Sequence, residues 1–101
     1  MMFEPITIND LTDLIKLQPP DWPNIIPNIQ FYIDSPFCKP IKIVTNGRIV
    51  GIGSSIEFAS TAWLAHIIVN PDDRKSGIGS FIVKTLIENI DRNKIKSILL
   101  R

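Results

Sequence analysis

The stretch LAHIIVNPDDRKSGIGSFIVKTL, from Leu64 to Leu86, decides the fold of this chain. It opens with an apolar run that ends at Val69 and is typical of a strand buried on both faces. Two glycines one residue apart, Gly77 and Gly79, then precede apolar residues at helical spacing. This order places the unpaired N–H groups of a helix's first turn beside the glycines. We therefore predict that this turn binds a phosphate.

The same four letters, GIGS, occur earlier, at residues 51–54, in a different setting. Val50, Ile52, Ile56 and Phe58 alternate with small or polar residues, which predicts a strand that continues past the glycines. No helix follows, and the third glycine and downstream acid of a dinucleotide-binding fingerprint are missing. We predict that these earlier glycines let another element pack closely against the strand.

Composition narrows the class of protein. The chain has 101 residues, of which 45% are apolar, and a formal net charge of +1. This predicts a single domain over residues 1–101 and gives no support to a nucleic-acid-binding surface. Cys38 is the only cysteine, which excludes an intrachain disulfide and a thiolate metal cluster, so we expect a cytoplasmic protein without a bound metal. We see neither a signal peptide nor an apolar run of membrane-spanning length, and therefore expect no membrane partner.

The sequence outside the stretch alternates between strands and helices. A strand over residues 3–8 precedes two predicted helices, the second of which begins near Asn24 and has Pro27 in its first turn. Asn46-Gly47 then predicts a tight turn between two strands of a hairpin. After the helix that follows the glycines, the apolar run KIKSILLR predicts a last strand.

A nucleoside triphosphatase loop would carry Lys-Ser or Lys-Thr directly after its last glycine, and Ser80-Phe81 stands there instead. The stretch resembles the acetyl-CoA-binding motif of the GNAT superfamily of N-acetyltransferases, a strand followed by Arg/Gln-x-x-Gly-x-Gly/Ala that opens a helix. Arg74, Gly77 and Gly79 fill its three defining positions. The order of elements before the motif also matches, so the resemblance covers nearly the whole chain. It implies an α/β fold with a mixed, mainly antiparallel sheet and helices on both faces, truncated after the strand that follows the motif helix.

The resemblance implies that acetyl-CoA is the cofactor and that an amine is the acceptor. Backbone N–H groups of the motif loop would hold the pyrophosphate of coenzyme A, and the pantetheine arm would pair with the motif strand like an added strand. The amine would attack the thioester directly while a backbone N–H steadies the developing oxyanion. The implied cofactor-binding residues are Ile67, Ile68, Val69, Arg74, Lys75, Ser76, Gly77, Ile78, Gly79 and Ser80.

The sequence leaves open which residue would act as the general base. Some family members carry it on the motif strand, but the matching positions here are Trp63 and Ala65, which cannot accept a proton. Strand alternation predicts that His66, the only histidine, points to the opposite face as a packed and hydrogen-bonded core residue, unless a bulge turns it. Glu57 is the candidate catalytic base, because it shares a strand face with small residues, would border an open cleft and could act through water. Its alternative role is that of a solvated glutamate at a strand end.

Three other side chains occupy positions that can be compared with those of functional residues in the family. Family members often supply a tyrosine that protonates the leaving thiolate, but the only tyrosine here, Tyr32, lies in the second helix and does not match. Trp22 lies in the loop that often covers the acceptor site, and it could equally anchor that loop on the core. Cys38 is expected to be a semi-buried packing residue.

The end of the chain adds a further expectation. Family members continue beyond this point with another helix and two strands, so we expect either the N-terminal part of a longer enzyme or a short protein that completes itself by association. The far edge of Ile98–Leu100 predicts a homo-oligomer, most simply a dimer, through the C-terminal strand. The predicted function is acetyl transfer from acetyl-CoA to a small-molecule or peptide amine. The alternative is a non-catalytic CoA-binding module or an interaction domain.

Overall fold

Five strands form one sheet in the computed structural model, which describes residues 2–17, 20–74 and 76–100. The strands lie in the order in which they occur along the chain. The first four pair antiparallel, and the last pairs parallel with its neighbour. The strands are β1 (Met2–Pro5), β2 (Cys38–Thr45), β3 (Arg48–Phe58), β4 (Thr61–Val69) and β5 (Ser97–Leu100). The prediction of a mixed, mainly antiparallel sheet is confirmed.

Helices cover both faces of this sheet, as predicted. The core on one face contains residues of the first two helices together with Ile52, Ala65 and Ile68. The core on the other face contains residues of the third helix together with Ala62 and Leu64. The helices are α1 (Leu11–Leu14), α2 (Ile26–Asp34) and α3 (Ile78–Glu88).

The first helix is shorter than the apolar spacing suggested. Leu11–Leu14 forms a single α-turn between two 3-10 turns, Ile8–Asp10 and Ile15–Leu17. The preceding strand ends at Pro5 instead of residue 8, because the backbone N–H of Thr7 donates to Oδ2 of Asp10 at 2.8 Å and starts the helical segment. No helix in the described part of the chain is long and apolar enough to cross a bilayer.

The two predicted turns around β3 and α3 occur as expected. Asn46 and Gly47 have φ angles of +52° and +74° and join β2 to β3, the geometry that favours Asn-Gly in a two-residue hairpin. Gly77 precedes α3 in the left-handed region, with φ +82°. That conformation costs glycine little and strains other residues.

The earlier glycine pair makes room for α3. A Cβ atom built on Gly53 would lie 2.6 Å from Cγ2 of Ile82, and one built on Gly51 would lie 2.9 Å from Cδ1 of the same side chain. Ile82 is fully buried. The prediction that these glycines serve close packing is therefore confirmed. The packing holds α3 against β3.

Candidate functional site

A bulge in β4 shapes the centre of the site. Ile52 of β3 pairs with Ile68, and Ser54 pairs with Ala65, so two residues of β4, His66 and Ile67, stand opposite one residue of β3. His66 takes the extra position with φ +52°. A non-glycine residue in this region is uncommon, and such residues cluster at functional sites.

The bulge turns His66 toward α2, so the face predicted for this side chain by strict alternation is wrong. Its Nδ1 lies 2.7 Å from the hydroxyl of Tyr32 in α2. Its ring meets the rings of Tyr32 and Trp22 edge to face, with centroids 5.3 Å and 6.3 Å away. Ala65 faces the same side. His66 is packed and hydrogen-bonded, as expected, but it is half-buried and lines two cavities instead of lying in the core.

The edge of β4 beyond Leu64 borders a large cavity. In the described residues β5 pairs with β4 only from Thr61 to Leu64, so no strand lies beside the rest of that edge. A cavity of about 1020 Å³ lies there. Its lining includes Trp22, His66, Ile67, Gly79, Ser80, Val83 and Leu100.

A smaller cavity, of about 290 Å³, lies at the N-terminus of α3. The N–H of Phe81 donates to the carbonyl of Gly77, so the N–H groups of residues 78–80 belong to the first helical turn and have no helical acceptor. A Cβ atom at Gly79 would meet only Cγ2 of Val69, at 3.7 Å. The cavity is lined by Val69, Arg74, Gly77, Ile78, Gly79 and Ser80. Lys75, also predicted to contact the cofactor, lies outside the described residues.

The turn before α3 is tied to the hairpin. Both guanidinium nitrogens of Arg48 bond to the carboxylate of Asp73, at 3.0 and 3.1 Å. These hydrogen bonds and the negative charge of Asp73 raise the pKa of the exposed Arg48. The N–H of Asn70 donates to the carbonyl of Val50, and its side-chain oxygen accepts from the N–H of Asp72. A carboxylate close to the α3 N-terminus is thus paired with a cation of the hairpin.

A second cavity, of about 450 Å³, lies between α2 and the sheet. Trp22 and His66 line both this cavity and the large one along β4. The other lining residues are Asn28, Phe31, Tyr32, Ile56 and Ala65. The two cavities therefore share these two lining residues at the bulge, and we call this place the junction. Trp22, for which the sequence left two roles open, is 43% exposed and lies at this junction.

Glu57 lies away from the junction. It pairs across the sheet with Ala62, whose side chain belongs to the core on the α3 face, and its Oε2 lies 3.1 Å from Nζ of Lys39. The open cleft expected on this face of β3 is wrong at the glycines, where Ile82 of α3 fills the space that Gly51 and Gly53 leave. Cys38 is a packing residue, as expected, but it is buried where a semi-buried position was predicted.

Tyr32 is the residue whose hydrogen-bond partner sequence reasoning missed. Its spacing from Ile29 along α2 predicts that both side chains face the sheet, and both are buried. The hydroxyl's partner could not be read from the sequence, because only the bulge brings His66 to that face. No group of three or more side chains suited to holding a metal ion occurs in the described residues.

Comparison with known proteins assigns this arrangement to a family. The model of the acetyltransferase (GNAT) family matches residues 8–100. The chain belongs to the GNAT acetyltransferase family. No curated protein matches this GNAT chain in sequence.

Solved structures share the fold at low sequence identity. A transcriptional regulator from Bacillus halodurans superposes with a TM-score of 0.81 at 17% identity, over 99% of this chain and 80% of its own. An aminoglycoside 6'-N-acetyltransferase from Acinetobacter haemolyticus superposes with a TM-score of 0.82 at 12% identity, over 100% of this chain and 79% of its own. The ribosomal-protein-S18-alanine N-acetyltransferase from Escherichia coli superposes with a TM-score of 0.74 at 18% identity, over 86% of this chain and 57% of its own. Because these identities are low, the likenesses show the fold alone.

Proposed function

We propose that this GNAT chain transfers an acetyl group from acetyl-CoA to an amine. The observation that carries the proposal is that the cavity at the α3 N-terminus and the cavity along the edge of β4 share two lining residues, Gly79 and Ser80. An anion site and a strand edge in one groove suit a ligand with a pyrophosphate at one end and an amide-containing arm at the other.

The residues present fit the pyrophosphate end of coenzyme A. The first turn of α3 offers N–H groups and the positive end of the helix dipole, and Arg74 adds a positive charge. At Gly79 the absence of a side chain leaves the space in front of these N–H groups open. Ser76, Gly77, Ile78 and Ser80 supply the rest of the loop backbone.

The pantetheine end would lie along β4. Two amides of that arm can pair with main-chain groups of Ile67, Ile68 and Val69, in the way that a peptide adds to a sheet edge. Such pairing asks for no particular side chain, which suits the plain aliphatic sequence of this segment. The arm would then lead toward the bulge at His66, where the second cavity begins.

The chemistry requires an acyl donor and a nucleophile to meet at the bulge. Acetyl-CoA supplies the thioester that donates the acetyl group. The amine would enter from the cavity beneath α2. Trp22, which lines this cavity, would shield the bound amine from bulk water. Backbone N–H groups of β4 at the bulge would stabilise the negative charge that develops on the acetyl oxygen.

Calorimetric titration with coenzyme A, followed by thiol release from acetyl-CoA with a panel of amines, tests this proposal. Binding together with amine-dependent thiol release is the expected result. Binding without turnover would favour the non-catalytic CoA-binding module. Absence of binding by the folded chain would overturn the proposal and favour an interaction domain.

A further inference from the structure

We infer that His66 takes the proton that the acceptor amine loses, and that Tyr32 is the positioning residue that holds its ring. The inference rests on the proposed acetyl transfer. It starts from the location of His66, which lines both the cavity along β4 and the cavity beneath α2. A base for direct attack must lie where acyl donor and amine meet, and this junction is such a place.

The backbone of His66 supports a role beyond packing. Its φ of +52° is strained for a residue with a side chain, and the bulge that imposes it also places the ring against Tyr32. Without the bulge the ring would point toward α3. Strain of this kind persists where the surroundings hold it, and bulges re-aim side chains next to active sites.

The hydrogen bond to Tyr32 assigns the two ring nitrogens different tasks. In the protonated ring both nitrogens are donors, so Nδ1–H must donate to the Tyr32 oxygen, 2.7 Å away. If the neutral ring keeps its proton on Nδ1 with the same bond, Nε2 is the nitrogen that gains and loses a proton. One geometry then serves both charge states, and no reorganisation is needed during the reaction.

Three elements that border these two cavities carry charged or titratable groups. Tyr32 faces the His66 ring from α2, Lys84 and Glu88 of α3 line the same large cavity, and Asp21 is an exposed neighbour of Trp22 in the loop. Lys84 and Glu88 lie 4.0 Å apart as an exposed ion pair, so their charges largely offset each other. The Tyr32 hydroxyl is a close neighbour of Nδ1, 2.7 Å away.

The step balances without a further reactant. The amine nitrogen forms a bond to the acetyl carbon, the bond between that carbon and sulfur breaks, and the electron pair leaves on sulfur. Nε2 of His66 takes the proton from nitrogen. That proton passes through water to the sulfur, so the products are the amide and the free thiol.

The tautomer of His66 can be measured without turnover. Because the chain has one histidine, nitrogen-15 NMR reports this ring alone. We expect the proton of the neutral ring on Nδ1 in the parent, and a larger share on Nε2 in Tyr32→Phe. A neutral ring protonated on Nε2 in the parent, or a tautomer unchanged by Tyr32→Phe, would overturn the inference.

Kinetics separate this inference from the proposed function. His66→Asn is the suitable variant because asparagine also tolerates a positive φ. We expect it to lower kcat by about 10²- to 10⁴-fold and to remove the acidic limb of the pH profile, while coenzyme A binding is kept. Tyr32→Phe should shift the pH at which that acidic limb has its midpoint. If the parent turns over and His66→Asn leaves the limb in place, the inference fails alone. If the folded parent neither binds coenzyme A nor releases thiol, the proposed function fails with it.

Discussion

Arg48 and Asp73 form a two-pronged ion pair that joins the start of β3 to the turn before α3, with nitrogen–oxygen distances of 3.0 and 3.1 Å. The pair is exposed on the Arg48 side, so its contribution to folding is small. Its position suggests a different role. We propose that Arg48 offsets the negative charge of Asp73 beside the loop in which an anion would bind.

The first prediction follows from this pair. In Arg48→Ala the unpaired carboxylate of Asp73 should repel the pyrophosphate and weaken coenzyme A binding by about two- to fivefold at low salt. The loss should shrink in high salt and largely disappear in the double variant with Asp73→Asn. Calorimetry at two salt concentrations measures both effects. Equal losses in the single and double variants would show that the pair acts only through loop shape.

A second prediction concerns the packing of α3. Gly53→Ala places a Cβ atom 2.6 Å from Cγ2 of Ile82, which must move within a filled core. We expect the free energy of unfolding to fall by about 1–3 kcal/mol, measured by urea denaturation. Gly79→Ala is the matched control, because its Cβ atom meets only an ordinary contact. A Gly53→Ala protein as stable as this control would contradict the close approach of α3 to β3.

A third prediction concerns acid stability. Burial disfavours the carboxylate of Asp10, but the hydrogen bond from Lys42, the backbone N–H of Thr7 and the charge of Lys42 outweigh burial, so the pKa of Asp10 lies below its ordinary value of 3.8. A lowered folded-state pKa adds stability that is complete above the unfolded pKa and is lost as the pH falls through the folded pKa. Asp10→Asn should therefore lower the free energy of unfolding by about 1–3 kcal/mol at neutral pH.

The pH dependence checks the sign of that effect. Urea denaturation of the parent and of Asp10→Asn should show a difference that is constant near neutral pH and shrinks below about pH 4. A difference that stays the same through the acid range would show that the Asp10 carboxylate does not contribute through its charge.

A fourth prediction concerns self-association, which we propose occurs through β5. Leu99 and Leu100 are 49% and 73% exposed, and they line an apolar cavity with Ile56 and Trp63. Exposed strand edges with apolar side chains recruit partners. Light scattering behind a sizing column should show a dimer at high micromolar concentration, and Leu99→Lys should shift it to monomer. A well-folded parent that stays monomeric would refute this proposal.

Local sequence signals predicted the parts of the structure that they determine alone. Asn46-Gly47 predicted the hairpin, and both residues have the positive φ angles that this turn requires. The position of Gly77 and Gly79 between a strand and apolar residues at helical spacing predicted the turn into α3. The spacing of apolar residues after Gly77 predicted the buried face of α3. These elements frame the proposed anion site, which is why its residues could be named in advance.

The side chains at the junction could not be placed in the same way. Strand alternation assigned His66 to the wrong face, because a bulge depends on the pairing of two strands and leaves no mark in one. The same limit affected Glu57, since small neighbours on a strand predict open space and a packed helix equally well. Only the tertiary position of Ile82 decided between them.

A comparison of Gly79→Asp with Gly79→Asn in a coenzyme A titration tests the central claim most directly. The two side chains have nearly the same size, so their difference isolates a negative charge in front of the first turn of α3. The parent should bind, and Gly79→Asp should bind more weakly than Gly79→Asn by about 1–3 kcal/mol, or roughly five- to a hundredfold. Equal affinities in two folded variants would contradict the placement of the pyrophosphate at this helix, and with it the proposed site.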